Sequence, residues 1–187
     1  PERGINSFKA ASFFIAALNR LYDFFPERER LFAPPISTFE PTKKEANVPN
    51  INTIPGEDIF YMDCRILPKY KVEDVERAIK AIASDIAKKF RVKIETGIEQ
   101  KAPAAPPTPA RAPVVQALRK AVKTVYGKEA RAMGIGGGTV AALFRRSGFD
   151  AACWSKLDDT AHQPNEYCVI DNMVGDAKVF AHVFTQD

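Results

Sequence analysis

The residues best suited to chemistry in this chain lie in Asp158-Asp159-Thr160-Ala161-His162-Gln163-Pro164-Asn165-Glu166-Tyr167, which holds one of only two histidines. A neutral imidazole beside carboxylates is a metal-ligand arrangement, because the acids can orient the ring and fix its tautomer. A solvated loop histidine has the same local sequence, and a catalytic zinc takes about three protein ligands. Ala151-Ala152-Cys153-Trp154 reads as a short buried strand ahead of this cluster, and Cys168–Phe184 reads as a helix after it. The cluster is therefore expected at the C-terminal end of a strand, where α/β sheets place ligands.

A second candidate is Gly134-Ile135-Gly136-Gly137-Gly138-Thr139, expected between a short strand, Arg131-Ala132-Met133, and a short helix, Val140 to Arg146. It lacks the Lys-Ser/Thr of a phosphate-cradling loop and does not close as a dinucleotide fingerprint, since Thr139 stands where the last glycine is needed. Backbone N–H groups at such a turn suit a carboxylate. Glycines also serve tight turns with close packing. Asp63 and Arg65 share one strand face and read as a surface ion pair. His182, spaced with Val179 and Val183, reads as structural. No serine or cysteine nucleophile stands in an elbow. Cys168, with no second thiol near, makes a poor structural zinc site.

The elements that position these residues fall into two patterns. Ile5 to Tyr22 reads as a helix with Ile5, Phe8, Ile15, Leu18 and Tyr22 near one face and capping oxygens at Asn6-Ser7. Ile36 to Pro41 and Ile59 to Leu67 read as strands; in the second, Phe60, Met62, Cys64 and Ile66 form the apolar face. Asn52-Thr53-Ile54-Pro55-Gly56 is a turn by composition. Lys71 to Phe90 is the clearest helix: Val72, Val75, Ile79, Ile82 and Ile86 make its stripe, with acids in the first turn and lysines in the last. Val92, Ile94, Thr96 and Ile98 alternate as a strand. Helix, strand, strand, helix, strand lacks one leading strand of a ferredoxin-like βαββαβ unit. That gap, and the opening Pro1-Glu2-Arg3-Gly4, lead us to expect a piece of a longer protein. Lys101 to Pro113, rich in proline and alanine, reads as a stiff linker. Pro113 to Tyr126 then reads as a helix, with Val114, Leu118, Val122 and Val125 on one side and Gly127 at its end.

Composition narrows the function classes. Across 187 residues, 45% are hydrophobic, so a packed core is expected and disorder is not. The net charge of +4 comes from lysines and arginines scattered among nearly as many acids, a solvated surface rather than a nucleic-acid stripe. No RNP-type aromatic motif is present. The longest apolar run near the start, Ala10 to Leu18, is too short for a bilayer, which takes about 20 residues. Three cysteines, Cys64, Cys153 and Cys168, form no CxxC pair and fit buried free thiols in a cytoplasmic protein.

Taken in order, Pro1-Glu2-Arg3-Gly4-Ile5-Asn6, Asn52-Thr53-Ile54-Pro55-Gly56, Asp63-Cys64-Arg65, Gly137-Gly138-Thr139 and Ala161-His162-Gln163-Pro164-Asn165-Glu166 resemble the zinc amidohydrolase/peptidase family of succinyl-diaminopimelate desuccinylase, acetylornithine deacetylase, carboxypeptidase G and aminoacylase. The resemblance implies an α+β, ferredoxin-like dimerisation lid over residues 1–105, without its first strand. It implies the C-terminal segment of an α/β phosphorylase/hydrolase-like zinc peptidase domain over residues 106–187. His162 matches the family's C-terminal zinc-ligand histidine. Asn52 matches the lid asparagine that contacts substrate across the dimer. Gly137, Gly138 and Thr139 match the loop that holds the substrate carboxylate. The desuccinylase pattern continues Ser-Asp-Ala-Arg where this chain has Val140-Ala141-Ala142-Leu143, so its substrate-gripping arginine has no match here. Also implied are two zinc ions per complete site, with cobalt or manganese as substitutes, a homodimer, and a small N-acyl amino acid or peptide substrate. Neither nucleic acid nor membrane is implied as a partner. In that family the metals polarise the amide carbonyl and activate water, a glutamate is general base, and a lid histidine stabilises the oxyanion. None of those catalytic side chains has a match in this chain, which is expected to be inactive alone. A non-catalytic dimerisation module is the alternative.

Overall fold

The computed structural model describes residues 4–158 and 160–185, so Pro1-Glu2-Arg3 of the family motif and Asp159 of the histidine cluster lie outside the described residues. The chain divides into two compact units, Pro1–Ala104 and Ala105–Asp187.

The first unit begins with α1, Ser7–Leu18, whose N-cap Asn6 accepts the Lys9 N–H on its side chain. A short helix α2, Arg20–Phe24, follows. The buried residues of the pair are Ala10, Ala11, Phe14, Leu18 and Leu21, while Ile5 and Phe8 are exposed. The buried face is thus rotated from the expected one, because two small alanines, not the bulkier Ile5 and Phe8, let the helix backbone approach the core. Strands β1, Thr38–Lys44, and β2, Phe60–Arg65, pair antiparallel with Phe39 opposite Cys64 and Pro41 opposite Met62. The register shifts between Pro41 and Lys43, at the residue that has no N–H to give the ladder. Helix α3, Val72–Phe90, ends at Arg91 in the left-handed conformation (φ 56°).

The period-2 and period-3.6 patterns meet in one core. Phe39 of β1, Phe14, Leu18 and Leu21 of the first helices, Phe25 just past α2, and Val75, Ile82 and Ile86 of α3 are buried together, and Phe60, Met62, Cys64 and Ile66 pack against them. Phe14 meets Phe60 edge-on at 5.5 Å, and Phe25 meets Tyr70 at 5.0 Å, the geometry ring quadrupoles favour. Buried Ser37 accepts the Leu67 N–H at 3.0 Å. Asp63 and Arg65 form the expected exposed pair at 2.7 Å.

The expected strand at residues 92–98 is not formed. Ile94 still packs on the core, but a strand needs a neighbour's donors and acceptors. In a ferredoxin-like unit that neighbour is the leading strand, and among the described residues no strand pairs with 92–98. With β1 and β2, the helices make an α+β unit.

The second unit is built on α4, Pro113–Tyr126, and α6, Ile170–Phe184, with the short α5, Ala141–Arg146. Pro113 is the first helical residue of α4 and Gly127 closes it with φ 65°, as proline's fixed φ and glycine's freedom predict. Ala121, Val122 and Val179 are its buried centre, flanked by Leu118, Val125, Tyr126, Trp154 and Val183. Thr108 ties the preceding segment down: its hydroxyl donates to the Ala151 carbonyl (2.7 Å) and accepts the Ala151 N–H (3.0 Å). Residues 131–133 and 151–154 are irregular rather than strands, and Cys153 and Cys168 are exposed free thiols rather than buried ones. A short run such as 151–154 can be extended, but only a hydrogen-bonded neighbour makes it a strand, and the described residues of this unit offer none.

Candidate functional site

The His162 loop, 158–167, is built from overlapping turns. The Thr160 N–H bonds the Asp158 carbonyl at 2.8 Å, Gln163 N–H the Thr160 carbonyl at 3.1 Å, and Glu166 N–H the Gln163 carbonyl at 3.2 Å. His162 and Asn165 both have left-handed φ, 63° and 62°. Asparagine tolerates that region; for either residue it costs free energy that local contacts must offset. One such contact is the His162 N–H, which donates to the Glu166 carboxylate at 3.2 Å. The loop's base is closed by the Tyr167 hydroxyl on Asp158 (2.7 Å). That bond, with the aspartate's charge, pushes the Tyr167 phenol above its ordinary value. His162 is exposed. Among the described residues, no group of three or more His, Cys, Asp or Glu side chains could hold a metal ion. The residues present fit one ligand position, not a complete metal site.

The glycine loop is almost wholly exposed, and a Cβ added at Gly136 or Gly138 would meet nothing within 4 Å. Close packing therefore does not account for these two glycines. Gly137 and Gly138 are exposed and Thr139 is half-buried; the Thr139 carbonyl accepts the Ala142 N–H at 3.0 Å as α5 begins.

Asn52 belongs to the first unit, on the connection between β1 and β2, and is exposed. The connection is clamped at its base. Lys44 pairs with Asp58, whose side chain is only 1% exposed, and the Asn47 amide donates to the same carboxylate at 2.8 Å. Further out, Ser7 at the start of α1 gives both its N–H (3.1 Å) and its hydroxyl (2.8 Å) to the Pro55 carbonyl. The structure thus places Asn52 in one unit and Gly137, Gly138, Thr139 and His162 in the other. His182 is exposed rather than packed with Val179, beside a groove of about 590 Å³ that Tyr126 and Lys178 also line. Asp176 of α6 is not among the residues expected from the sequence, because its four partners lie 20 to 22 and 50 residues away along the chain.

A family model, the peptidase dimerisation domain, matches residues 1–91. The chain as a whole is similar to an uncharacterized metallohydrolase of Methanocaldococcus jannaschii, 41% identical across 98% of this chain and 47% of that protein. It is also similar to an uncharacterized metallohydrolase of Methanococcus maripaludis, 39% identical across the same shares. The chain spans about half the length of these curated relatives. Together the matches bear out the expected resemblance to M20 peptidases and metallohydrolases, and the helices and small antiparallel sheet of the first unit fit an α+β dimerisation domain. Among the described residues, no helix is long and apolar enough to cross a membrane.

Proposed function

We propose that this M20-like chain comprises the dimerisation lid (1–105) and the C-terminal catalytic-domain segment (106–187) of a zinc-dependent hydrolase. Its substrates are amide bonds in N-acyl amino acids or small peptides. The observation that carries the reading is the conjunction of a peptidase dimerisation domain over 1–91 with similarity to two metallohydrolases through 98% of the chain. In this reading His162 is the metal ligand the chain supplies, Gly137, Gly138 and Thr139 receive the substrate carboxylate, and Asn52 reaches substrate across a homodimer. Two features are consistent with it. The His162 ring is exposed on a hydrogen-bonded loop. In the second unit Met133, Ile135, Leu143 and Leu157 stay exposed, as expected of a segment that packs on the rest of a catalytic domain. The remaining metal ligands and the general base lie in a part of the hydrolase other than these 187 residues, so no reaction step is assigned to a metal held by this chain alone.

The test is metal content and amide hydrolysis of the assembled, mass-verified hydrolase purified without chelator. About two zinc ions per site and turnover of N-acyl amino acids or dipeptides are expected, with both reduced by His162→Ala. Full zinc content and full turnover in that variant would overturn the ligand assignment. A second reading, a dimerisation module without catalysis, is supported by the match of a peptidase dimerisation domain to residues 1–91. A stable dimer of the assembled protein with neither zinc nor amidase activity would establish it.

A further inference from the structure

Asp176, half-buried on α6, accepts four hydrogen bonds. They come from the Trp154 indole N–H (2.8 Å), the Lys156 backbone N–H (3.0 Å), the Tyr126 hydroxyl (3.0 Å) and the Ser155 hydroxyl (3.1 Å). Four bonds fill the lone-pair sites of one carboxylate, and bonds to an ionised acceptor are the strong ones. Three of the four donors belong to consecutive residues, 154–156, which lead into the His162 loop. Two residues beyond Lys156, Asp158 takes the Tyr167 hydroxyl and closes the loop. Three residues beyond Tyr167, α6 begins at Ile170. The incoming stem of the loop is therefore hydrogen-bonded to α6 and the outgoing stem is continuous with it. Lys156 adds a second hold, its ammonium lying 5.0 Å from the centre of the Tyr126 ring.

We propose that Asp176 is a positioning residue: it holds 154–156 on α6 and so sets where the 158–167 loop presents His162. The functional weight of this rests on reading His162 as a metal ligand; the mechanical claim does not. Without Asp176 the stem keeps its packing around Trp154 and the Lys156–Tyr126 contact but none of its bonds to the α6 carboxylate, and the left-handed turn at His162 loses the fixed base that offsets its cost.

The experiment uses this chain without metal. Asp176→Asn keeps the size and replaces one acceptor oxygen by an NH2 group, which cannot accept from Lys156 or Ser155. Amide exchange across 157–167 should rise at least about tenfold, the factor that one lost charge-assisted hydrogen bond carries. The ring resonance of His162 should shift, while that of His182 serves as the internal control. Tyr126→Phe removes one of the four bonds but none to the stem, and should leave loop exchange within about twofold. Should Asp176→Asn not fold, Trp154→Phe with Ser155→Ala removes two stem bonds around an intact Asp176, and an increase of about threefold or more is expected. The proposal is overturned if the variants leave loop exchange and the His162 resonance as in the wild type. It is equally overturned if Tyr126→Phe loosens the loop as much as Asp176→Asn, because the loop then only reports the packing of the unit. In the assembled hydrolase, zinc content indifferent to His162→Ala would remove the ligand reading and leave the exchange result standing.

Discussion

Gly175 sits in the middle of α6, where glycine costs about 1 kcal/mol relative to alanine. A Cβ built there would lie 2.2 Å from the Tyr126 hydroxyl oxygen, 2.7 Å from Cζ and 3.0 Å from Cε1. The ring cannot swing aside freely, since its hydroxyl donates to Asp176 (3.0 Å) and lies 3.3 Å from the Asn172 carbonyl. In Gly175→Ala the phenol must leave, forfeiting a bond to a carboxylate worth about 1.5–3 kcal/mol and adding overpacking of about 1–3 kcal/mol. These losses overlap, and the helix gains about 1 kcal/mol from alanine. A net destabilisation of about 1–3 kcal/mol follows, a fall of roughly 4–8 °C in Tm per kcal/mol for a unit of this size. The decisive comparison is the background. In Tyr126→Ala the obstructing ring is gone, and the same substitution should become stabilising by up to about 1 kcal/mol. Urea unfolding can be followed by the single tryptophan, Trp154, whose ring centre lies 6.0 Å from that of Tyr126. An equal cost of Gly175→Ala in both backgrounds would refute the argument, because the glycine would then answer to something other than Tyr126.

Three further outcomes are expected. Ser7→Ala removes the hydroxyl bond to Pro55 and should cost about 1 kcal/mol, with faster amide exchange around Asn52 and none of that effect in α3. The exposed Asp63–Arg65 pair should show a coupling energy below about 1 kcal/mol in a double-mutant cycle read by thermal unfolding. The second unit should weaken at both pH extremes. Burial alone would raise the Asp176 carboxyl, but the bonds from Lys156, Trp154, Tyr126 and Ser155 hold it below its ordinary 3.8. Its stabilisation is thus complete above that range and lost as pH falls through the lowered folded value. Burial and the bond to Asp176 raise Tyr126 above 10.0, so its contribution is complete below pH 10 and lost as pH rises through the raised value. Trp154 fluorescence against pH reads both limbs, and Asp176→Asn should flatten the acid one.

What was legible in the chain is what neighbours in sequence decide. The five-residue stripe of α3 emerged because an amphipathic helix carries its own period, and α4 because Pro113 and Gly127 mark its ends. The apolar face of β2 was readable because strand side chains alternate. The strands expected at 92–98, 131–133 and 151–154 failed for a reason no local pattern can express, since a strand exists only with a partner. Asp176 was hidden because its partners lie 20 to 22 and 50 residues away. Yet one trace of it was present. Gly175 breaks helix propensity inside an otherwise well-formed helix, and an acid follows it directly. A local rule broken in a regular element signals that another segment arrives there. Here the arriving group is Tyr126: its ring needs the missing Cβ, and its hydroxyl needs the neighbouring carboxylate. A glycine and an aspartate that look like two separate blemishes on α6 are thus one docking point. Because residues 154–156 use the same carboxylate, that docking point also reaches the loop that carries His162.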